Sequence, residues 1–222
     1  MTETPAPRTL RIDFVSDIVC PWCAIGLASL EQALERTRGE VHADIHFQPF
    51  ELNPQLGAEG EDMVEHLQKK YGMSATQVAA NQEAIRERGA DLGFTFDMQR
   101  RRRTYNTFDA HRLLHWAELE GKGGALKHAL LRAYFTDGRD VSAQGTLLDV
   151  ATSVGLSPGR AREILASNEY AEEVRAVEQF FLQQGIQGVP AIIIDRKHLI
   201  SGGQPVDVFE RALRHIAAEK KG

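Results

Sequence analysis

Leu10, Ile12 and Phe14 alternate with Arg11 and Asp13, a period of two that predicts a strand with one apolar face. After it, Ile25, Leu27, Leu30, Ala33 and Leu34 fall at helical spacing, with Pro21 acceptable in the first turn and Gly39 as a stop. Alternation returns with Val41, Ala43, Ile45 and Phe47 against His42, Asp44, His46 and Gln48. Strand, helix and strand in that order build a parallel sheet. From about Glu61 to Phe180 the periodicity is helical throughout, with apolar stripes at Ala110, Leu113, Leu114 and Ala117, then at Ala125, Leu126, Ala129, Leu130 and Ala133. Leu147 to Val154 closes at Gly155, and Ser157-Pro158 reads as a helix cap followed by proline at the first position. The apolar, β-branched run Val189–Ile194, which contains Pro190, predicts a buried strand. Asp195-Arg196-Lys197 turns it back into a partner at His198–Ser201. Phe209, Ala212, Leu213 and Ile216 mark a last amphipathic helix. The expectation is an α/β unit made of residues 8–60 and 181–222, split by a helical insertion at 61–180.

A length of 222 residues suits one or two domains, and 42% hydrophobic with 26% charged residues is ordinary for a soluble chain. No apolar run approaches the roughly 20 residues of a membrane span. Met1 to Thr9 is polar and Pro-rich, unlike a secretory leader, so a cytoplasmic protein with no membrane partner is expected. The net charge of −5 argues against a nucleic-acid partner. It also favours a solvated turn over an anion patch for Arg100 to Arg103, just before a helix expected at 104–120.

The chain has two cysteines, Cys20 and Cys23, and they stand where the first strand feeds the first helix. Unpaired N–H groups and the helix dipole stabilise a thiolate at Cys20, which makes it the attacking nucleophile. Cys23 lies nearly one turn on, facing the same side, and can resolve a mixed disulfide into an internal one. A buried chance pair is the bland alternative. A zinc site using His111 and His115 is the sharper one, but the long separation and Arg112 after His111 weigh against it. No metal and no organic cofactor is expected, because the Gly pairs at 123–124 and 202–203 open no dinucleotide-type turn.

Asp17 to Cys23, continuing to Gly26, resembles the active-site motif of the DsbA family of thioredoxin-fold oxidoreductases, most closely its FrnE-like branch. Pro49 to Pro54, Asn106-Thr107 with Ala110 to Leu113, Gly188 to Ala191, and Ser201 to Gln204 carry the same resemblance. It implies an α/β, thioredoxin-like fold with a large all-helical insertion and a cis Val189–Pro190 peptide beside the cysteines. It further implies that Val189 and Pro190 shape a substrate site, with Trp22 offering an apolar surface. The best-known periplasmic oxidases of the family have His where Trp22 stands, and some FrnE-like proteins carry a second cysteine pair that this chain lacks. In a reducing compartment, reductase or isomerase work on protein or small-molecule disulfides is more natural than net oxidation, with glutathione a possible partner. Two rival readings are a glutathione-dependent isomerase or transferase of the kappa and hydroxychromene-carboxylate type, whose members place Ser where Cys20 stands, and a non-catalytic peptide-binding module. His111 beside an apolar stripe reads as structural, and Asp17 either as a turn residue or as an influence on thiol proton transfer.

Overall fold

A computed structural model describes residues 7–57 and 59–219. The first six positions of the polar N-terminal stretch, position 58 and the last three positions of the expected outer unit lie outside the described residues.

Strand β1 (Arg8–Ser16) pairs in parallel with β2 (Val41–Pro49), and helix α1 (Pro21–Arg36) makes the crossover. Strand β5 (Ala191–Ile194) runs antiparallel to β1 on its other side, with Ile12 opposite Ile194. Beyond it β6 (His198–Ser201) closes the hairpin, with Ile192 opposite Ile200. The sheet order is therefore β2-β1-β5-β6. The hairpin turn uses Asp195 and Arg196, both at positive φ, which fits the polar turn expected there.

An interior strand is covered on both faces, and β1 shows it. Leu10, Ile12 and Phe14 join Ile25, Leu27 and Leu30 of α1 and Phe209 and Leu213 of α9 (Val206–Ala218) in the main core. Val15, on the opposite face, packs with Phe50, Phe181 and Ala191 in a second, smaller cluster. Alternation alone suggested one buried face, but α8 (Ala171–Gln183) contributes Phe181 to the other. Full burial of a side chain such as Phe14 contributes about 1.5–3 kcal/mol. Phe14 and Phe47 meet edge to face across the parallel pair, ring centroids 6.0 Å apart.

Between β2 and β5 run α2 (Met63–Tyr71), α3 (Ala75–Asp91), α4 (Phe108–Leu119), α5 (Gly123–Phe135), α6 (Gln144–Ser153), α7 (Pro158–Leu165) and α8. Two details depart from the all-helical expectation. Two-residue strands β3 (Glu61–Asp62) and β4 (Arg103–Thr104) pair antiparallel, and α4 begins at Phe108 rather than 104. α8 runs on to Gln183, across the boundary expected at 180–181. The solvated-turn reading of Arg100 to Arg103 needs correcting at Arg101, which is buried, its guanidinium 5.9 Å from the Tyr134 ring centroid and 5.4 Å from that of Phe135. Aromatic faces accept a guanidinium that water would otherwise hold. Ser157 caps α7 as its sequence suggests, its Oγ accepting from the Arg160 N–H.

Candidate active site

Cys20 is the residue capping α1: its backbone is extended and Pro21 opens the helix, so the thiol sits at the helix's N-terminal, positive end. Its side chain is nearly closed, at 4% exposure, and Cys23 one turn inside is fully buried. Both are free thiols. The Cys20 Sγ donates to the Val189 carbonyl at 3.6 Å, and the Val189–Pro190 peptide is cis. Strand β5 starts after Pro190, at Ala191, so the proline lies at the strand's mouth rather than within it. Cys20, Cys23, Val189 and Pro190, far apart in the chain, thus meet at one end of β1 and β5. Trp22 keeps an open face beside them, at 40% exposure.

Two glycines permit that approach. A Cβ on Gly26 would stand 3.1 Å from Pro190 Cγ, and one on Gly203 would stand 2.8 Å from the Trp22 carbonyl. Gly203, just past the end of β6, lets the loop after that strand press against the start of α1. A cavity of about 310 Å³, lined by Gly185, Gln187, Val189, Pro190, Leu199 and Gly202 among others, opens on the far side of the cis peptide.

Beneath the sulfurs lies a buried polar layer. Asp17 is wholly closed; its Oδ1 accepts the Ile18 N–H at 2.6 Å and its Oδ2 the Leu52 N–H at 2.7 Å. His111 of α4 brings Nε2 to 3.4 Å from Asp17 Oδ1. Burial alone would raise the Asp17 carboxyl, but His111 and the Leu52 N–H outweigh it and hold the group below its ordinary range. Burial, joined by the contact with Cys20, pushes the Cys23 thiol well up. Lys127 of α5 is fully enclosed as well, and burial pulls its amine down. Lys70, near the end of α2, donates to the Leu52 carbonyl at 2.8 Å and to Asn53 Oδ1 at 2.6 Å. Its amine is lowered by burial while Asp17 and Cys20 act to raise it.

The two lysines were not anticipated. For Lys127 a signal existed: it forms a stripe with Leu131 and Tyr134 at spacings of four and three, both of them buried. His115, the other histidine of the zinc alternative, lies against Tyr170, ring centroids 5.1 Å apart. Among the described residues no group of three or more His, Cys, Asp or Glu side chains could hold a metal ion, and no helix is long and apolar enough to cross a membrane.

Residues 11–214 match the family described as the DSBA-like thioredoxin domain. The crystal structure of a probable DsbA oxidoreductase from Streptomyces coelicolor is 36% identical and superposes with a TM-score of 0.89 over 96% of this chain and 92% of that one. An uncharacterized protein of Bacillus subtilis, YwbO, is 28% identical over 92% of this chain and 96% of its own. The cytosolic disulfide reductase DsbM from Pseudomonas aeruginosa, solved with GSH, is 17% identical with a TM-score of 0.64 over 93% of this chain and 98% of that one, a likeness of fold. With its four-stranded mixed sheet, the helices inserted between β2 and β5 and this match over nearly the whole length, the chain belongs to the DsbA-like thioredoxin-fold family.

Proposed function

We propose that the protein catalyses thiol–disulfide exchange through Cys20 and Cys23, as a cytoplasmic reductase or isomerase of protein or small-molecule disulfides. The observation that carries this reading is the Cys20 sulfur at the start of α1, 3.6 Å from the Val189 carbonyl, with Cys23 one turn behind it. The Cys20 thiolate attacks one sulfur of a substrate disulfide in line; the substrate S–S bond breaks, and its far sulfur leaves as a thiol. Cys23 then attacks Cys20, forming the internal disulfide and releasing the second substrate thiol. Val189 and Pro190 dock the substrate chain, the Val189 carbonyl accepting from its backbone, and Trp22 gives it an apolar wall. Lys70 sets a cation within electrostatic range of Cys20, which suits an anionic thiol such as glutathione. The branch of the family is the FrnE-like one.

The test is the reduction potential of the pair, measured by equilibration with defined glutathione buffers and thiol trapping. A value near that of thioredoxin, about −270 mV, supports a reductase; one near that of DsbA, about −120 mV, makes the protein an oxidant instead. A pair that forms no disulfide at any poise removes the exchange reading.

A further inference from the structure

The Lys127 side chain is closed to solvent, and among the described residues its Nζ has no hydrogen-bond partner. An ammonium buried without acceptors is costly, so burial pulls the Lys127 amine below its ordinary value and shifts it toward the neutral form. From β2 the Phe47 ring lies over it, its centroid 6.0 Å from Nζ. From α1 and the turn before it, the ionisable groups that act on the amine are Cys23 first, then Asp17 and Cys20. On α5 itself the next residue, His128, is taken up with Glu31, Nε2 to Oε1 2.7 Å. Cys23 meanwhile is enclosed, and its thiol must ionise before it can attack.

Asp17 is poorly suited to receive that proton. Its two oxygens are engaged by the Ile18 and Leu52 N–H groups, and its carboxyl is held low. An amine that burial shifts toward its neutral form, and that has no hydrogen-bond partner among the described residues, is the better base.

We infer that Lys127 accepts the proton of Cys23 as Cys23 attacks the mixed disulfide held on Cys20. The inference rests on the exchange reading above. The proton leaves the Cys23 sulfur for Nζ, which lies beyond hydrogen-bond distance of it in the reduced chain and must swing in to take it, and the freed electron pair forms the Cys23–Cys20 bond. The bond from Cys20 to the substrate sulfur breaks; that sulfur leaves with its pair and takes a proton from water. The substrate disulfide is reduced by two electrons and the cysteine pair is oxidised by two. The new ammonium is also the counter-charge of the forming thiolate, and its charge lowers the Cys23 thiol that burial raises. Helix α5 thus supplies a working group to a cysteine on α1.

The experiment follows the reduced full chain with excess 5,5′-dithiobis(2-nitrobenzoate) by stopped flow. One coloured thiolate leaves when Cys20 attacks and a second when Cys23 resolves. Lys127→Met is expected to keep the first release and slow the second at least about tenfold near neutral pH, the slow rate then climbing about tenfold per pH unit. Lys127→Arg, cationic but unable to accept a proton, is expected to stay slow. A Lys127→Met second release at the wild-type rate, or its restoration by Lys127→Arg, overturns the inference while leaving exchange intact. Absence of the first release from the wild type overturns the exchange reading and this inference together. Should Lys127→Met not fold, carbon NMR of labelled lysine in the wild type decides: Lys127 must titrate differently in the reduced and oxidised chains, and identical titration overturns the assignment.

Discussion

Asp17 and His111 face each other in the interior, Oδ1 to Nε2 3.4 Å, with neither side chain exposed. Because the folded carboxyl lies below its unfolded value, the stability it contributes is fully present above the ordinary Asp range near about 3.9 and is lost as pH falls through the lower folded value. Asp17→Asn is expected to cost about 3 kcal/mol at neutral pH. Urea unfolding across an acid series should show the gap between variant and wild type closing below about pH 4. A gap that stays constant with pH would mean the carboxylate charge is not what the site uses.

Cysteine substitutions should separate attack from resolution. Cys23→Ser is expected to accumulate a covalent mixed disulfide on Cys20 when offered oxidised glutathione, visible as added mass. Cys20→Ser, which leaves only the enclosed thiol, should form none and turn over at background. A pure binding module would keep its partner's affinity in both variants.

Gly203→Ala puts a methyl 2.8 Å from the Trp22 carbonyl, backbone that cannot swing aside. It is expected to lower stability by about 1–3 kcal/mol and to slow disulfide exchange as α1 shifts from Pro190. Gly145→Ala, with nothing within 4 Å on a helix, is the control and should gain about 0.4–1 kcal/mol. Thermal melts and exchange rates of the two variants, read together, decide whether the close approach matters.

Arg112 of α4 is buried, its Nε donating to the Glu169 carbonyl at 2.8 Å and its terminal nitrogen to the Ser167 carbonyl at 2.5 Å. Lysine keeps the charge but not the planar fork. Arg112→Lys is expected to cost about 2–3 kcal/mol in urea titration, with cysteine reactivity unchanged. A loss within a few tenths would show the loop after α7 held by other contacts.

What could be read from the chain follows from which forces are local. The β1–α1–β2 unit and the β5–β6 hairpin announce themselves because period, proline and turn residues act over a few positions: Pro21 opens α1, and Asp195-Arg196 turns the hairpin. Cys20 and Cys23 were legible because a spacing of three has one geometric meaning at a helix start. Arg101 and Lys127 were not. Their burial depends on Tyr134, Phe135 and Phe47 arriving from elsewhere; Arg101 carries no local sign of it, and at Lys127 the only sign is its place on a stripe with Leu131 and Tyr134. His111 reads as an ordinary histidine on a helix until the fold brings Asp17 against it. The second buried face of β1 was hidden for the same reason, since it depends on α8 rather than on the strand.

The contact between Cys20 and Val189 spans 169 positions, and β1 finds its β5 neighbour only after the helices between them have been made. A ribosome working at about 5–20 residues per second therefore exposes both thiols for about 8–34 s before their docking wall exists. Through that interval the nascent chain carries a dithiol but not yet a substrate site, and it is itself open to oxidation by whatever disulfides surround it. The order of synthesis places the reactive half first and the selective half last.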